Sequence, residues 1–177
     1  MIGLQTHEPQ YDWFKPTDFL ETIDAMEKLG HNVHITELTF PSNGKQITGG
    51  WRTGTWTLQA QADYAYQIYS LAFGHPAVEC INYLGFSYRN VWRDEWGIVD
   101  KNYNPKPIFN TLKSLIKEKW MTHNLSLKTD KSGLVWFRGF YGEYKVTVKT
   151  PDGSKQSFNL HLSREIPSRW TFSLPAK

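Results

Sequence analysis

The chain of 177 residues is 40% hydrophobic and 21% charged with a net charge of +3, which excludes the highly charged, apolar-poor class of disordered proteins. Its Lys and Arg residues are scattered, so no nucleic-acid partner is expected. No apolar run approaches the ~20 residues that span a bilayer, so no membrane partner is expected either. The single cysteine, Cys80, excludes an internal disulfide and is interpreted as a buried structural thiol.

Predicted strands and helices alternate from the first residue. "IGLQTH" is typical of a short strand, and "KPTDFLETIDAMEKLG" predicts a helix with Thr17 as its N-cap and Gly30 as its stop. "NVHITELTF" predicts a second strand. A glycine-rich loop, "PSNGKQITGGWRTGT", then leads to a second helix, "WTLQAQADYAYQIYSLAF", which Gly74 and Pro76 end.

"AVECINYLGF" predicts the third strand, and the loop "SYRNVWRDEWGIVDKNYN" precedes a last helix, "PKPIFNTLKSLIKEKW". One face of this helix carries four apolar residues: Ile108, Leu112, Leu115 and Ile116. The alternation predicts an α/β fold with parallel strands joined by right-handed crossovers. Because three strands cannot close a barrel, we expect residues 1–120 to form an incomplete unit.

The sequence changes character after Trp120. Alternation in "EYKVTVKT" and the turn signal "PDGS" predict two antiparallel strands, and a closing strand is expected near "RWTFSLP". Residues 121–177 are therefore predicted to form a small antiparallel β-module, which has no evident catalytic group.

Glu37 lies in a strand rich in Val, Ile and Thr, where a carboxylate needs partners or a purpose. In parallel sheets and barrels, functional groups sit at the carboxyl ends of the strands. The first strand ends with Gln5 and His7, and the second ends with Glu37. The third strand leads to further candidates: Tyr88, Arg89 and Trp92. We expect these side chains to converge, with His7 holding Glu37 and Gln5 near enough to bind a hydroxyl.

The residues alone leave two interpretations of Glu37 open. An ionised carboxylate can attack or stabilise an oxocarbenium ion, as in glycoside hydrolysis, and retention requires a second carboxyl about 5 to 5.5 Å away. Alternatively, Glu37 caps a strand or pairs with Arg89 or Arg93.

Four ordered motifs resemble glycoside hydrolase family 10, whose members are mostly endo-1,4-β-xylanases built on a (β/α)8 TIM barrel. "IGLQTH" resembles the sixth barrel strand and "HITEL" the seventh; "GFSYRNVWR" and "WGIVDKNYNPKPIF" resemble the eighth strand, its loop and the last helix. The resemblance covers about residues 1–120 and implies a retaining hydrolase of β-1,4-xylan-type polysaccharide. The tail beginning "FRGFYGEYKVTV" resembles the small β-module that follows the barrel in some members.

The resemblance implies that Glu37 is the nucleophile, that His7 hydrogen-bonds it and that Gln5 helps to order the site. No cofactor is implied. No metal site is predicted, because His31 and His34 fall on opposite faces without a carboxylate or cysteine cluster. Three tryptophans are candidates for stacking on sugar: Trp92, which corresponds to the tryptophan that packs over the sugar beside the cleaved bond, Trp51 and Trp96.

The sequence also departs from the family's pattern. Thr39 stands where the family usually has Asp, and Leu84-Gly85 replaces a usual Trp-Gly pair, so we expect substrate preference to have changed. The family's general acid, a glutamate at the end of the fourth strand, has no counterpart among these motifs. Other carboxyls are weaker candidates: Glu8 should point away from His7, while Asp94 and Glu95 are expected to be solvated on a loop.

These departures favour a C-terminal fragment of a longer enzyme that is inactive or incomplete alone, with Met1 an internal methionine. The alternatives are a non-catalytic carbohydrate-binding protein or truncated pseudoenzyme, and a chain that does not fold by itself. No signal peptide is evident, and an extracellular location is expected for the full-length protein. The particular polysaccharide, the oligomeric state and the role of the β-module are left open.

Overall fold

Three parallel strands form the sheet of the first of two structural units. The computed structural model describes residues 1–7, 11–87, 94–166 and 168–174, which divide into Met1–Lys119 and Trp120–Lys177. The strands of the first unit lie in the order β1-β2-β3 and are all parallel. Their ranges are β1 Ile2–Thr6, β2 Val33–Leu38 and β3 Val78–Tyr83.

Two helices connect these strands and a third follows them, so the predicted α/β class describes this unit. Their ranges are α1 Pro16–Glu27, α2 Leu58–Gly74 and α3 Pro107–Ser114, the last continuing into a π-helical turn, Leu115–Lys119. Ile108, Leu112 and Leu115 are buried as predicted, whereas Ile116 is exposed. The wider π-helical turn changes the angular spacing of side chains after Leu115, which a regular helical period does not anticipate.

The first helix begins two residues earlier than an N-cap at Thr17 predicts. Pro16 occupies its first turn, and the N-cap is Lys15, which makes no side-chain capping bond. The prediction that Thr17 is the N-cap is wrong; its hydroxyl instead donates to Asp18 Oδ1 at 3.2 Å. The fixed φ of proline is already suited to the first helical position, so this helix starts without a capping hydroxyl.

An aromatic cluster fills the space beside the loop that follows β2. Trp56 is fully buried, with its ring centroid 5.3 Å from that of Trp13 and 5.4 Å from that of Tyr64. Its indole N–H donates to the Tyr11 carbonyl at 2.7 Å. Phe40 meets Tyr64 edge to face at 4.9 Å. These rings anchor the polar, glycine-rich loop to the helices and the sheet.

The second unit contains an antiparallel hairpin of β4 (Gly142–Lys149) and β5 (Lys155–Leu162), joined at the predicted "PDGS" turn. Successive residues alternate between covered and exposed, as expected for strands with one covered face. The predicted closing strand is not formed by residues 168–174; Phe172 stacks instead on Phe158, with centroids 4.2 Å apart. Across the described ranges, every helix falls short of the length and apolar character that crossing a bilayer requires.

Burial raises the pKa of Tyr64, Tyr69 and Tyr83 above the ordinary tyrosine value. The unfolded chain therefore loses these protons near pH 10 while the folded chain keeps them, so we expect stability to fall as the pH rises above about 10. Urea midpoints followed by circular dichroism from pH 9.5 to 11.5 would measure this loss. Ionisation of all nine tyrosines in a still folded chain near pH 10, seen as tyrosinate absorbance, would contradict it.

Candidate active site

A change of register between β1 and β2 determines which way Glu37 faces. Leu4 pairs with Ile35, but Gln5 pairs with Glu37, so Thr36 has no opposite residue in β1. This extra residue is a β-bulge, a feature that re-aims side chains where it occurs. Regular alternation would place Glu37 on the same side as Ile35, among the residues that face the helices.

The burial of the side chains in β2 agrees with the position of the bulge. Val33, Ile35 and Leu38 are fully buried, whereas the Glu37 side chain keeps 31% of its surface exposed. The chain opposite makes room for the extra residue at Gly3, where a Cβ would approach the Thr36 methyl carbon to 3.2 Å. The bulge therefore turns a carboxylate to the accessible side of a strand in which Val33, Ile35 and Leu38 pack the core.

Both carboxylate oxygens of Glu37 are held by side chains from the end of β1. Gln5 Nε2 donates to Oε1 at 2.9 Å, and His7 Nε2 donates to Oε2 at 2.7 Å, because a carboxylate can only accept. The Thr6 hydroxyl donates to the Glu37 backbone carbonyl at 3.0 Å. The sequence prediction that Gln5, His7 and Glu37 converge thus agrees with these contacts.

His7 is oriented on its other side by Thr39. Their Nδ1 and Oγ1 atoms are 3.0 Å apart, and Thr39 is buried. A hydroxyl can donate to a neutral imidazole or accept from a protonated one, so Thr39 suits both charge states of His7, whereas an Asp at this position would favour the protonated ring. Sequence reasoning missed this contact, although residues 37 and 39 share a side of an extended chain.

The candidate tryptophans occupy different places. Trp96 ends a 3-10 turn, Asp94–Trp96, where it is 4% exposed and lies parallel to the His7 ring with centroids 6.0 Å apart. Trp51 stands in the loop after β2 and is 47% exposed; in the described part of the chain it makes no ring contact or hydrogen bond with the Glu37 group. Some candidates lie outside the described residues: Glu8, Tyr88, Arg89, Trp92 and Arg93.

Within the described ranges, one set of side chains has the spacing of metal ligands: Asp24, Glu27 and His75, whose ligand atoms lie within 4.8 Å of one another. The Ala77 N–H donates to His75 Nδ1 at 3.2 Å, so the ring proton is on Nε2, which donates to Asp24 at 2.9 Å. This arrangement joins α1 to the residue after α2, at the amino-terminal end of the sheet.

Comparison with known proteins agrees with the motifs. The family model of glycosyl hydrolase family 10 matches residues 1–115. Over 105 residues the chain is 39% identical to the anti-sigma-I factor RsgI6 of Acetivibrio thermocellus, covering 59% of this chain and 14% of that protein. It is 28% identical to endo-1,4-beta-xylanase B of Thermotoga neapolitana over 67% of this chain and 34% of that protein.

A plant relative, endo-1,4-beta-xylanase 3 of Arabidopsis thaliana, is 26% identical over 74% of this chain and 15% of that protein. The chain therefore spans between 14% and 34% of the length of these three relatives. The family model, in contrast, matches well over half of the chain, which confirms the family predicted from the motifs. The chain belongs to glycosyl hydrolase family 10, a TIM-barrel family related to xylan hydrolysis.

Proposed function

We propose that this chain supplies the nucleophile of a retaining glycoside hydrolase that cleaves β-1,4-xylan-type polysaccharide. The observation that supports it is the Glu37 carboxylate, partly exposed at the carboxyl end of β2 and held at both oxygens by Gln5 and His7. The carboxyl ends of the strands are where barrel enzymes place their reacting groups. The relatives named as xylanases support the choice of substrate class.

In this proposal a Glu37 oxygen attacks the anomeric carbon of the sugar while the bond to the leaving-group oxygen breaks. A general acid protonates that oxygen, and water later hydrolyses the glycosyl ester to give a product of retained configuration. Gln5 and His7 fix the position of the carboxylate, which matters because small misplacements are costly in rate. Thr39 holds the far side of His7.

The proposal includes an assignment of strands. β1, β2 and β3 are the sixth, seventh and eighth strands of a (β/α)8 barrel, contained in residues 1–120, and residues 121–177 are a separate β-rich module. The general acid is a glutamate from a part of the barrel that these three strands do not include. Trp92 and Trp51 stack on sugar, while Trp96 acts through its contact with His7.

A 2-fluoro xylobioside with a dinitrophenolate leaving group tests the nucleophile separately from the acid, because this leaving group needs no proton. We expect intact mass spectrometry to show one covalent adduct, and peptide mapping to locate it at Glu37. A chain that unfolds cooperatively on heating, and so is folded, but forms no adduct would contradict the proposal.

Carbohydrate binding without turnover is the second candidate function. It is favoured by the exposed indole of Trp51 in the loop at the carboxyl end of β2, since an indole offers a flat apolar face beside a hydrogen-bond donor, a combination enriched at interfaces. One relative of the family segment is named an anti-sigma-I factor and not a xylanase. Calorimetric titration with xylohexaose should then show binding that Trp51→Ala weakens; no heat at millimolar sugar would exclude this candidate.

A further inference from the structure

Three consecutive backbone carbonyls around Trp96 are held by side chains from distant parts of the chain. The Glu95 carbonyl accepts three hydrogen bonds, and the carbonyls of Trp96 and Gly97 accept one each. The donors are Ser42 Oγ (2.7 Å), Gln61 Nε2 (3.0 Å) and Lys106 Nζ (2.8 Å) to Glu95, Tyr83 Oη (2.7 Å) to Trp96, and Lys106 Nζ (2.6 Å) to Gly97. We call these four donor side chains the carbonyl clamp.

The clamp is built from separate elements of the first unit. Ser42 follows β2, Gln61 lies in α2, Tyr83 ends β3 and Lys106 precedes α3. Gln61 is fully buried and Lys106 is 8% exposed. Buried carbonyls require donors, and a short 3-10 turn leaves its own unsatisfied, so these side chains fix where the turn lies.

Lys106 has the central position in the clamp. Its ammonium also donates to Ser42 Oγ at 3.1 Å, so its three N–H groups have three acceptors: Ser42, Glu95 and Gly97. Burial lowers the pKa of Lys106 to about 8, and the charge of Glu95 opposes this change. The ammonium therefore remains the main form at pH 7 and keeps all three donors.

The 3-10 turn that the carbonyl clamp holds carries Trp96, and the ring of Trp96 packs against His7 of the proposed site. Trp96 lies parallel to His7, and His7 donates to the Glu37 carboxylate. A displacement of the turn would remove the surface against which the imidazole packs. The imidazole would keep its hydrogen bonds to Glu37 and Thr39 but lose the flat surface that restricts its rotation.

We propose that Lys106 is a positioning residue for Glu37, acting through the backbone around Trp96 and through His7. This inference rests on the proposed function, and it adds a residue to that site which has no direct contact with sugar or with the reacting atoms. By this inference, the loop that precedes α3 helps to orient the Glu37 carboxylate in β2.

The test compares Lys106→Met with Lys101→Met. Both lysines line the same open cavity of about 500 Å³, but Lys101 is exposed and contributes no bond to the clamp. Tyr83→Phe is a second variant, because it removes the donor to the Trp96 carbonyl and keeps the ring.

Two quantities are measured on the full chain. The first is the rate of adduct formation with the 2-fluoro xylobioside. The second is the set of NMR signals of the His7 ring protons, which are assigned by their loss in His7→Gln.

We expect the rate to fall about 10- to 100-fold in Lys106→Met, as for a small misplacement of a reacting group. The His7 signals should shift as well, because the ring current of Trp96 depends on the stacking. Tyr83→Phe should change both quantities in the same direction, and Lys101→Met neither. Lys106→Arg, which keeps the charge and the donors, should restore part of the rate.

Unshifted His7 signals in both Lys106→Met and Tyr83→Phe would overturn the inference, as would shifted signals with an unchanged rate. If the unmodified chain forms no adduct, the proposed nucleophile fails, but the His7 signals still report whether the clamp holds the ring. The two proposals can therefore fail separately.

Discussion

Replacing Glu37 by Gln is expected to abolish covalent labelling by the 2-fluoro xylobioside. An amide is uncharged and cannot form the glycosyl ester, so the rate should fall by a factor on the order of 10⁴ or more, as for other removed nucleophiles. Stability should change little, because Gln fills the same volume and can still hydrogen-bond with Gln5 and His7. Intact mass spectrometry over time gives the rate, and circular dichroism confirms the fold.

Glu79→Gln is the matched control. Glu79 has the same kinds of partner, since His34 Nε2 lies 3.1 Å from Oε2 and the Asn32 amide donates to Oε1. It lies at the start of β3, however, at the end of the sheet opposite Glu37. We expect full labelling in this variant. Equal loss in both variants would show that a carboxylate paired with histidine matters for folding and that Glu37 has no special chemical role.

The second large effect is expected in the aromatic cluster. Trp56→Ala removes a fully buried indole, its contacts with Trp13 and Tyr64, and the bond to the Tyr11 carbonyl. A loss of about 3 to 5 kcal/mol in the free energy of unfolding is typical of such a change. Urea unfolding followed by circular dichroism would measure it.

Trp51→Ala serves as the control for that loss, because the same residue type is removed from the same loop at an exposed position. Its effect on stability should stay within about 0.5 kcal/mol. If Trp51→Ala destabilised the chain as much as Trp56→Ala, the burial pattern of this loop would be contradicted. If both variants had small effects, the cluster would not be the anchor of the loop.

The sequence was sufficient to predict the order of strands and helices in the first unit and the meeting of Gln5, His7 and Glu37. Both predictions depend on features that are local or general: the periods of apolar residues, and the rule that parallel strands end at one edge of a sheet. The motifs then identified the family. The roles of these side chains in catalysis are still predictions that the experiments above address.

Other features depend on contacts that no local pattern contains. The expectation that Trp96 presents its ring to sugar did not anticipate its burial against His7, in a turn to which Ser42, 53 positions away from Glu95, donates a hydrogen bond. Proline's preference for the first helical turn could have predicted the start of α1 at Pro16. The hydroxyl of Thr17 is also typical of an N-cap, and that signal led to the wrong start. Competing local signals and distant contacts account for these misses.

The bulge at Thr36 has a consequence for how this strand can change over time. Deletion of Thr36 would restore regular alternation with Glu37 directly after Ile35, and the carboxylate would keep both its accessible side and its pairing with Gln5. A slip of register that paired Thr36 with Gln5 would instead turn the carboxylate toward the helices, because Glu37 would then project on the same side as Ile35. The accessible position of this glutamate therefore depends on the register between the two strands, and it would survive the loss of the bulged residue.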